Sequence, residues 1–242
     1  MKLQEKVEQT VASGVMPITL LHDTVCFFDE APEMKRSFLQ INSLELGTLT
    51  YRQYRFVARR TKQGEALVRR HLHGVLRAIP QMLQEHRLST VCVPVYARTL
   101  QNGKLAELLF EAFTLFPQVN PNMICVEISA DILFEDVELA RERIAELRAL
   151  GVKVAVGELG DEFCPVFRLA SFQLEYAFLD SYAIEHLLDD NAAQSVGALV
   201  AYLHTLQVRV IAPELTGEEQ IGRARELGCD GYTLLERGGG VS

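Results

Sequence analysis

The sequence has no apolar run approaching the roughly 20 residues needed to cross a bilayer. Its longest uninterrupted apolar stretches are only a few residues, so no membrane span is expected. The first residues, Met1-Lys-Leu-Gln-Glu-Lys, put polar groups where an export signal needs an apolar core, and a cytoplasmic location is the expectation. There is no C-x-x-C pair. Cys26, Cys92, Cys125, Cys164 and Cys229 are widely spaced, several lie inside apolar runs, and they read as buried reduced thiols. There is no excess of positive charge either: 24 Lys and Arg against 32 Asp and Glu give a net charge of -8, which argues against a general nucleic-acid role. No Gly-x-Ser-x-Gly nucleophile elbow occurs, and no glycine fingerprint for a dinucleotide follows the early strands. Among six histidines the one close pair, His71 and His73, is two residues apart, so on a helix the two point to different faces and do not form a metal pair.

What is present is a chain of 242 residues, 48% hydrophobic, enough to bury the core of one α/β domain. Leu3, Val7 and Val11 give residues 1–15 the apolar stripe of a short helix, expected to lie on the domain or on a second subunit. The domain itself is expected over 16–236, and 237–242, with Gly238-Gly-Gly, as a tail. Pro17–Leu21 and Thr24–Phe28 read as two strands separated by His22-Asp23, with Ser37–Leu44 a third. From Gly64, Leu67, Leu72, Val75, Leu76, Ile79, Met82 and Leu83 fall at helical spacing, with Pro80 a candidate kink. Beyond that the order is regular. Strand-like runs at Thr90–Val95, Met123–Ile128, Lys153–Val156, Tyr176–Leu179 and Val208–Ala212 alternate with helical stripes, one of them stopped by Gly151.

Short, nearly all-apolar strands alternating with helices imply a parallel sheet covered on both faces. With seven or eight such strands, a closed barrel is favoured over an open sheet.

Several stretches resemble one family. Ile124-Cys-Val-Glu-Ile-Ser and Leu147-Arg-Ala-Leu-Gly-Val-Lys-Val-Ala-Val-Gly-Glu-Leu-Gly160 resemble the Glu-Leu-Thr strand and the Asp-Asp-Phe-Gly strand of the EAL domains, which hydrolyse cyclic di-GMP. Phe178-Leu-Asp-Ser-Tyr resembles the Lys-hydrophobic-Asp strand, and Val210-Ile-Ala-Pro-Glu-Leu-Thr-Gly-Glu-Glu-Gln220 resembles the final Glu-rich motif. The landmarks keep the family's order over about residues 90–235. The resemblance implies a modified TIM-type (β/α)8 barrel.

It also implies a pair of divalent cations held by carboxylates at strand ends, and this is where the chain departs. Leu39 or Gln40 falls near the signature Glu, Pro94 at the Asn ligand, and Gly157-Glu158 at the Asp-Asp pair. Phe178 replaces the Lys that polarises water, and Pro213 and Thr216 replace the two Glu of the last motif. Glu127 is retained, and Glu158, Asp180 and Glu214 are vestigial carboxylates at the barrel mouth. The expectation is a catalytically inactive, signalling or regulatory EAL-like domain with no cofactor and no metal, acting through a protein partner or as a homodimer. The alternatives are a non-catalytic cyclic di-GMP receptor and a residual metal-dependent phosphodiesterase. Because Ser43, Pro94 and Thr216 remove polar contacts to the nucleotide, cyclic di-GMP is not expected to bind. Arg52, Arg55, Arg59, Arg60 and Lys62, with Glu65 the single nearby acid, form either a solvated helix face or a surface for an acidic partner.

Overall fold

The computed structural model describes residues 17–43, 46–58, 63–85, 87–160 and 165–235. The expected N-terminal helix, the tail and Cys164 lie outside the described residues. Strand β1 (Ile18–Phe27) returns through a short turn into β2 (Glu33–Ser43), and the two pair antiparallel with Ile18 opposite Ile41 and Val25 opposite Met34. The two strands expected here are therefore one. His22 and Asp23 do not break it, because both are carried in the ladder opposite Ser37 and Arg36. A short β3 (Gly47–Leu49) pairs antiparallel with the end of β2, at Ile41–Ser43.

From β3 onward the connections contain α- or 3-10-helical segments, and crossovers of that length make the strands from β4 on parallel. The chain runs through α1 (Tyr51–Ala58) and α2 (Gln63–Glu85) to β4 (Leu88–Pro94), then α3 (Ala97–Gln101) and α4 (Lys104–Leu115) to β5 (Ile124–Ser129). Helices α5 (Ala130–Glu135) and α6 (Val137–Ala149) lead to β6 (Lys153–Leu159), which is followed by β7 (Tyr176–Leu179). Then come α7 (Ser181–Glu185), α8 (Asp190–Thr205), β8 (Arg209–Leu215), α9 (Glu218–Glu226) and β9 (Gly231–Leu234).

The sheet order is β1-β9-β8-β7-β6-β5-β4-β2-β3, and the β1–β2 pairing closes eight of these strands into a barrel. The closing seam is short: Cys26 opposes Tyr232 and Phe27 opposes Gly231. Glycine is required there, since a Cβ on residue 231 would stand 2.8 Å from the Cys26 carbonyl oxygen and 2.9 Å from the Phe27 ring.

Strand alternation divides the core into two layers. The inner one fills the barrel with Val25, Met34, Cys92, Cys125, Ala155, Tyr176, Phe178 and Ile211. The outer one sandwiches Leu39, Ile41, Val91, Val93, Val126 and Val154 against the helices, including Leu67, Leu72, Val75, Leu76 and Ile79 of α2. That helix continues through Pro80, and Leu83, expected on its apolar face, is 47% exposed. Cys26, Cys92, Cys125 and Cys229 are free thiols.

Candidate site at the barrel mouth

Strand β2 turns Met34 and Arg36 into the barrel and sends Leu39 and Ile41 outward into the helix-facing layer. The inward residue of β2 that meets Glu127 is thus Arg36. Leu39, one of the two positions expected there, belongs to the opposite face of the strand, and Gln40 donates to Asn42 Oδ1 at 3.2 Å. Arg36 grips Glu127 with two bonds: Nε donates to Oε2 at 2.8 Å and Nη2 to Oε1 at 2.5 Å. Both residues are buried, at 8% and 5% exposure. A bidentate guanidinium–carboxylate pair of this kind combines two charge-assisted hydrogen bonds and fixes the geometry of both groups. Burial opposes the charge on Arg36, but the Glu127 carboxylate outweighs it, with smaller help from Cys92 and Glu214, and its pKa lies above that of an ordinary arginine.

The positions where the resemblance places lost groups surround this pair. Pro94 is the register partner of Glu127, and the Val95 N–H donates to the Glu127 carbonyl at 3.0 Å. Phe178 is fully buried, with the Arg36 guanidinium 4.4 Å from its ring centre; Phe38 flanks the same guanidinium at 5.1 Å. A cation therefore lies against the residue that replaces the family's Lys, but it comes from β2. Cys92 Sγ stands 3.8 Å from Glu127 Oε2.

The carboxylates expected at the barrel mouth are divided among different tasks. Glu158, next to last in β6, lies in the left-handed region (φ 55°) where the β6–β7 register shifts, and it is ion-paired with Arg55. Glu214 repeats this on β8 (φ 60°), where the β8–β9 register shifts, and its N–H donates to Thr233 Oγ1 at 2.8 Å. Bulges of this type re-aim side chains at barrel rims. Asp180 caps α7, its Oδ1 accepting from the Ala183 N–H at 2.8 Å. Pro213 is buried, whereas Thr216 is exposed and binds Gln220 Oε1 through its N–H at 2.8 Å and its hydroxyl at 3.0 Å.

Arg55 is held in place from the sequence upward. Thr50 and Gln53 cap α1, the Thr50 N–H donating to Gln53 Oε1 at 2.8 Å, and Tyr54 ties the helix to β2 by donating to the Leu39 carbonyl at 2.8 Å. Of the basic cluster read from the sequence, Arg55 therefore turns toward the end of β6. The backbone of Arg52 is in α1; Arg59, Arg60 and Lys62 lie outside the described residues.

The residues present do not fit a pair of divalent ions. Both oxygens of Glu127 are engaged by Arg36, and Pro94, Gly157 and Phe178 carry no side-chain oxygen. Among the described residues, no three His, Cys, Asp or Glu side chains gather in a metal-holding group. His71 and His73 diverge, the first bonding Ser37 Oγ at 2.8 Å and the second packing edge-on to Phe116.

An eight-stranded barrel closed by one reversed strand, β1, defines the class as a modified (β/α)8 barrel. The EAL domain model matches residues 36–233, and the chain belongs to that family. It is 29% identical over 139 residues to an uncharacterized signaling protein of Caulobacter vibrioides and 22% identical over 142 residues to the signaling protein YkoW of Bacillus subtilis. These matches cover 56% and 58% of this chain but only 17% and 18% of those proteins.

Among solved structures, the PaMucR phosphodiesterase in complex with c-di-GMP superposes with a TM-score of 0.85 at 19% identity, covering 98% of this chain and 97% of the other. The FimX EAL domain of Pseudomonas aeruginosa bound to c-di-GMP gives 0.82 at 16% identity, over 98% and 96%. Likeness at this identity shows the fold. It also overturns the expectation that cyclic di-GMP would not bind. Barrels of this shape and equally distant sequence hold the nucleotide, so individual missing polar contacts such as Pro94 and Thr216 are no ground for excluding it. Among the described residues no helix is long and apolar enough to cross a membrane.

Proposed function

We propose that this chain is a regulatory EAL barrel of bacterial signalling that does not hydrolyse cyclic di-GMP and acts by binding. The carrying observation is the buried bidentate Arg36–Glu127 pair, which commits the retained carboxylate to an internal partner. Phosphodiester hydrolysis by hard cations needs several free oxygen ligands converging on one point. Here Pro94, Gly157 and Phe178 offer none, and Glu127 is occupied. The output is then contact with a protein partner, through Arg52, Arg59, Arg60 and Lys62 of the basic segment, Arg55 being committed to Glu158, in a cytoplasmic setting consistent with four free thiols among the described residues. The purified chain, incubated with cyclic di-GMP and Mn²⁺ or Mg²⁺, should release no linear dinucleotide; metal-dependent release abolished by Glu127→Gln would overturn the proposal.

A second reading, a receptor for the nucleotide itself, is favoured by the superposition on FimX and MucR barrels that carry it. Calorimetric titration of the chain with cyclic di-GMP decides between the two outputs: saturable binding at micromolar concentration or tighter establishes the receptor, and its absence leaves the protein partner.

A further inference from the structure

Two carboxylates survive at the positions where the family resemblance places metal ligands, Glu127 and the substituted Glu158, and each is held by a guanidinium of the same chain. Arg36 reaches Glu127 from β2, and Arg55 reaches Glu158 from α1. The two pairs are linked through the backbone of β6, because Glu127 leans over Gly157, the neighbour of Glu158. The buried Glu127 requires compensation by positive charge, whether from an ion or a side chain; Glu158 is half-buried and needs it less. The inner compensating group is itself enclosed by Phe178 and Phe38, whose ring faces favour a cation.

We infer that Arg36 and Arg55 are resident cations that replace a pair of divalent ions, so that the barrel mouth is charge-compensated by the chain itself and is stable without metal. This deepens the non-hydrolysing reading, on which it rests for the absence of turnover, but its consequence is for stability. A family barrel that relies on ions to neutralise its mouth gains stability from them by mass action. This chain should gain nothing, since its ligand positions are filled. Removal of Arg36 should reverse that: Glu127, with Cys92 Sγ 3.8 Å away and Glu214 near the vacated guanidinium, loses its compensating charge, and the altered barrel should acquire a dependence on divalent metal that the native chain lacks.

The test is the melting temperature of the full chain in EDTA and in millimolar Mn²⁺, for the native sequence, Arg36→Gln and the double variant Arg36→Gln/Glu127→Gln. The native chain should melt at the same temperature in both conditions. Arg36→Gln should melt lower in EDTA and recover by a few degrees in Mn²⁺, and the double variant should lose that recovery. A Mn²⁺-dependent rise for the native chain would overturn the inference, as would an Arg36→Gln chain that folds, by circular dichroism, and ignores the ion. Should Arg36→Gln not fold, the native chain decides by itself, and Arg55→Gln offers a second, less buried position for the same comparison. Release of linear dinucleotide by a native chain whose melting ignores Mn²⁺ would remove the non-hydrolysing reading while leaving the resident cations in place.

Discussion

Gly157 lies directly beneath the carboxylate of Glu127: a Cβ built on Gly157 would stand 3.0 Å from Glu127 Cγ and Cδ and would overlap Oε1. The missing side chain at 157 is therefore what lets Glu127 lean toward Arg36. Glycine at 157 and arginine at 36 thus serve one arrangement around Glu127. Restoring the acid should not restore a metal site. Gly157→Asp is expected to push Glu127 off Arg36 and bury a second carboxylate, destabilising the fold by about 2–4 kcal/mol. Urea unfolding of the variant checks this, and a stability equal to the native chain would show that Glu127 has another place to go.

The Arg36–Glu127 pair should behave as a unit. Removing one member leaves a buried uncompensated charge, at a cost of about 3–5 kcal/mol, whereas replacing both with apolar groups of similar size is often neutral. Arg36→Met and Glu127→Met are each expected to be strongly destabilising, and the double variant close to native. Additive losses in denaturant titration would mean that the pair is not the charge-compensating unit its geometry describes.

Much of the barrel was legible in the sequence, and the reason is covalent spacing. Strands β4 to β8 are short, buried on both faces and separated by helices, so they stand out as apolar runs. The seam was not legible. Strand β9 is four residues long and starts at Gly231, whose function is to let Phe27 and Cys26 approach, a demand set by a strand about two hundred residues away in sequence. Strand β1 was divided at His22-Asp23 because polar residues in a strand read as a turn until their partners on β2 are known.

The site was half legible for a related reason. Glu127 was singled out by matching motifs, but Arg36 was missed, because neither face of β2 is uniformly apolar and the strand's inward parity cannot be read from it. Its partner is 91 residues further along the chain. A usable signal was present: charged residues in a central strand are rarely buried unless paired, and Glu127 was the one retained acid on a neighbouring inner position.

Phe178 offers a sharp test of the non-hydrolysing reading. Reinstating the family's lysine as Phe178→Lys places a second cation against the Arg36 guanidinium, which now lies 4.4 Å from the ring centre. It also removes a fully buried ring from the inner layer. The variant is expected to lose about 3 kcal/mol or more and to gain no turnover of cyclic di-GMP with Mn²⁺. Folded, active protein would show that the remaining groups suffice for hydrolysis once the lysine returns.

Acid stability should report a different part of the fold, the polar contact under α2. His71 is 3% exposed and shares a 2.8 Å hydrogen bond with Ser37 Oγ. Burial, aided by nearby His22, pushes its pKa down from 6.5 to about 3, and burial with Lys35 pushes that of His22 down to about 4. Below pH 6.5 the unfolded chain takes up protons that the folded histidines refuse. Their contribution is thus complete above pH 6.5 and is lost as the pH falls toward 4. For His71 the loss approaches about 1.4 kcal/mol per pH unit across that window. His71→Gln removes the titrating group while keeping a hydrogen-bonding partner for Ser37. Its loss of stability between pH 7 and pH 5, measured by urea unfolding, should be smaller than that of the native chain by about 2 kcal/mol. Equal losses would mean that His71 accepts its proton without leaving the core, and that acid sensitivity of this barrel arises elsewhere.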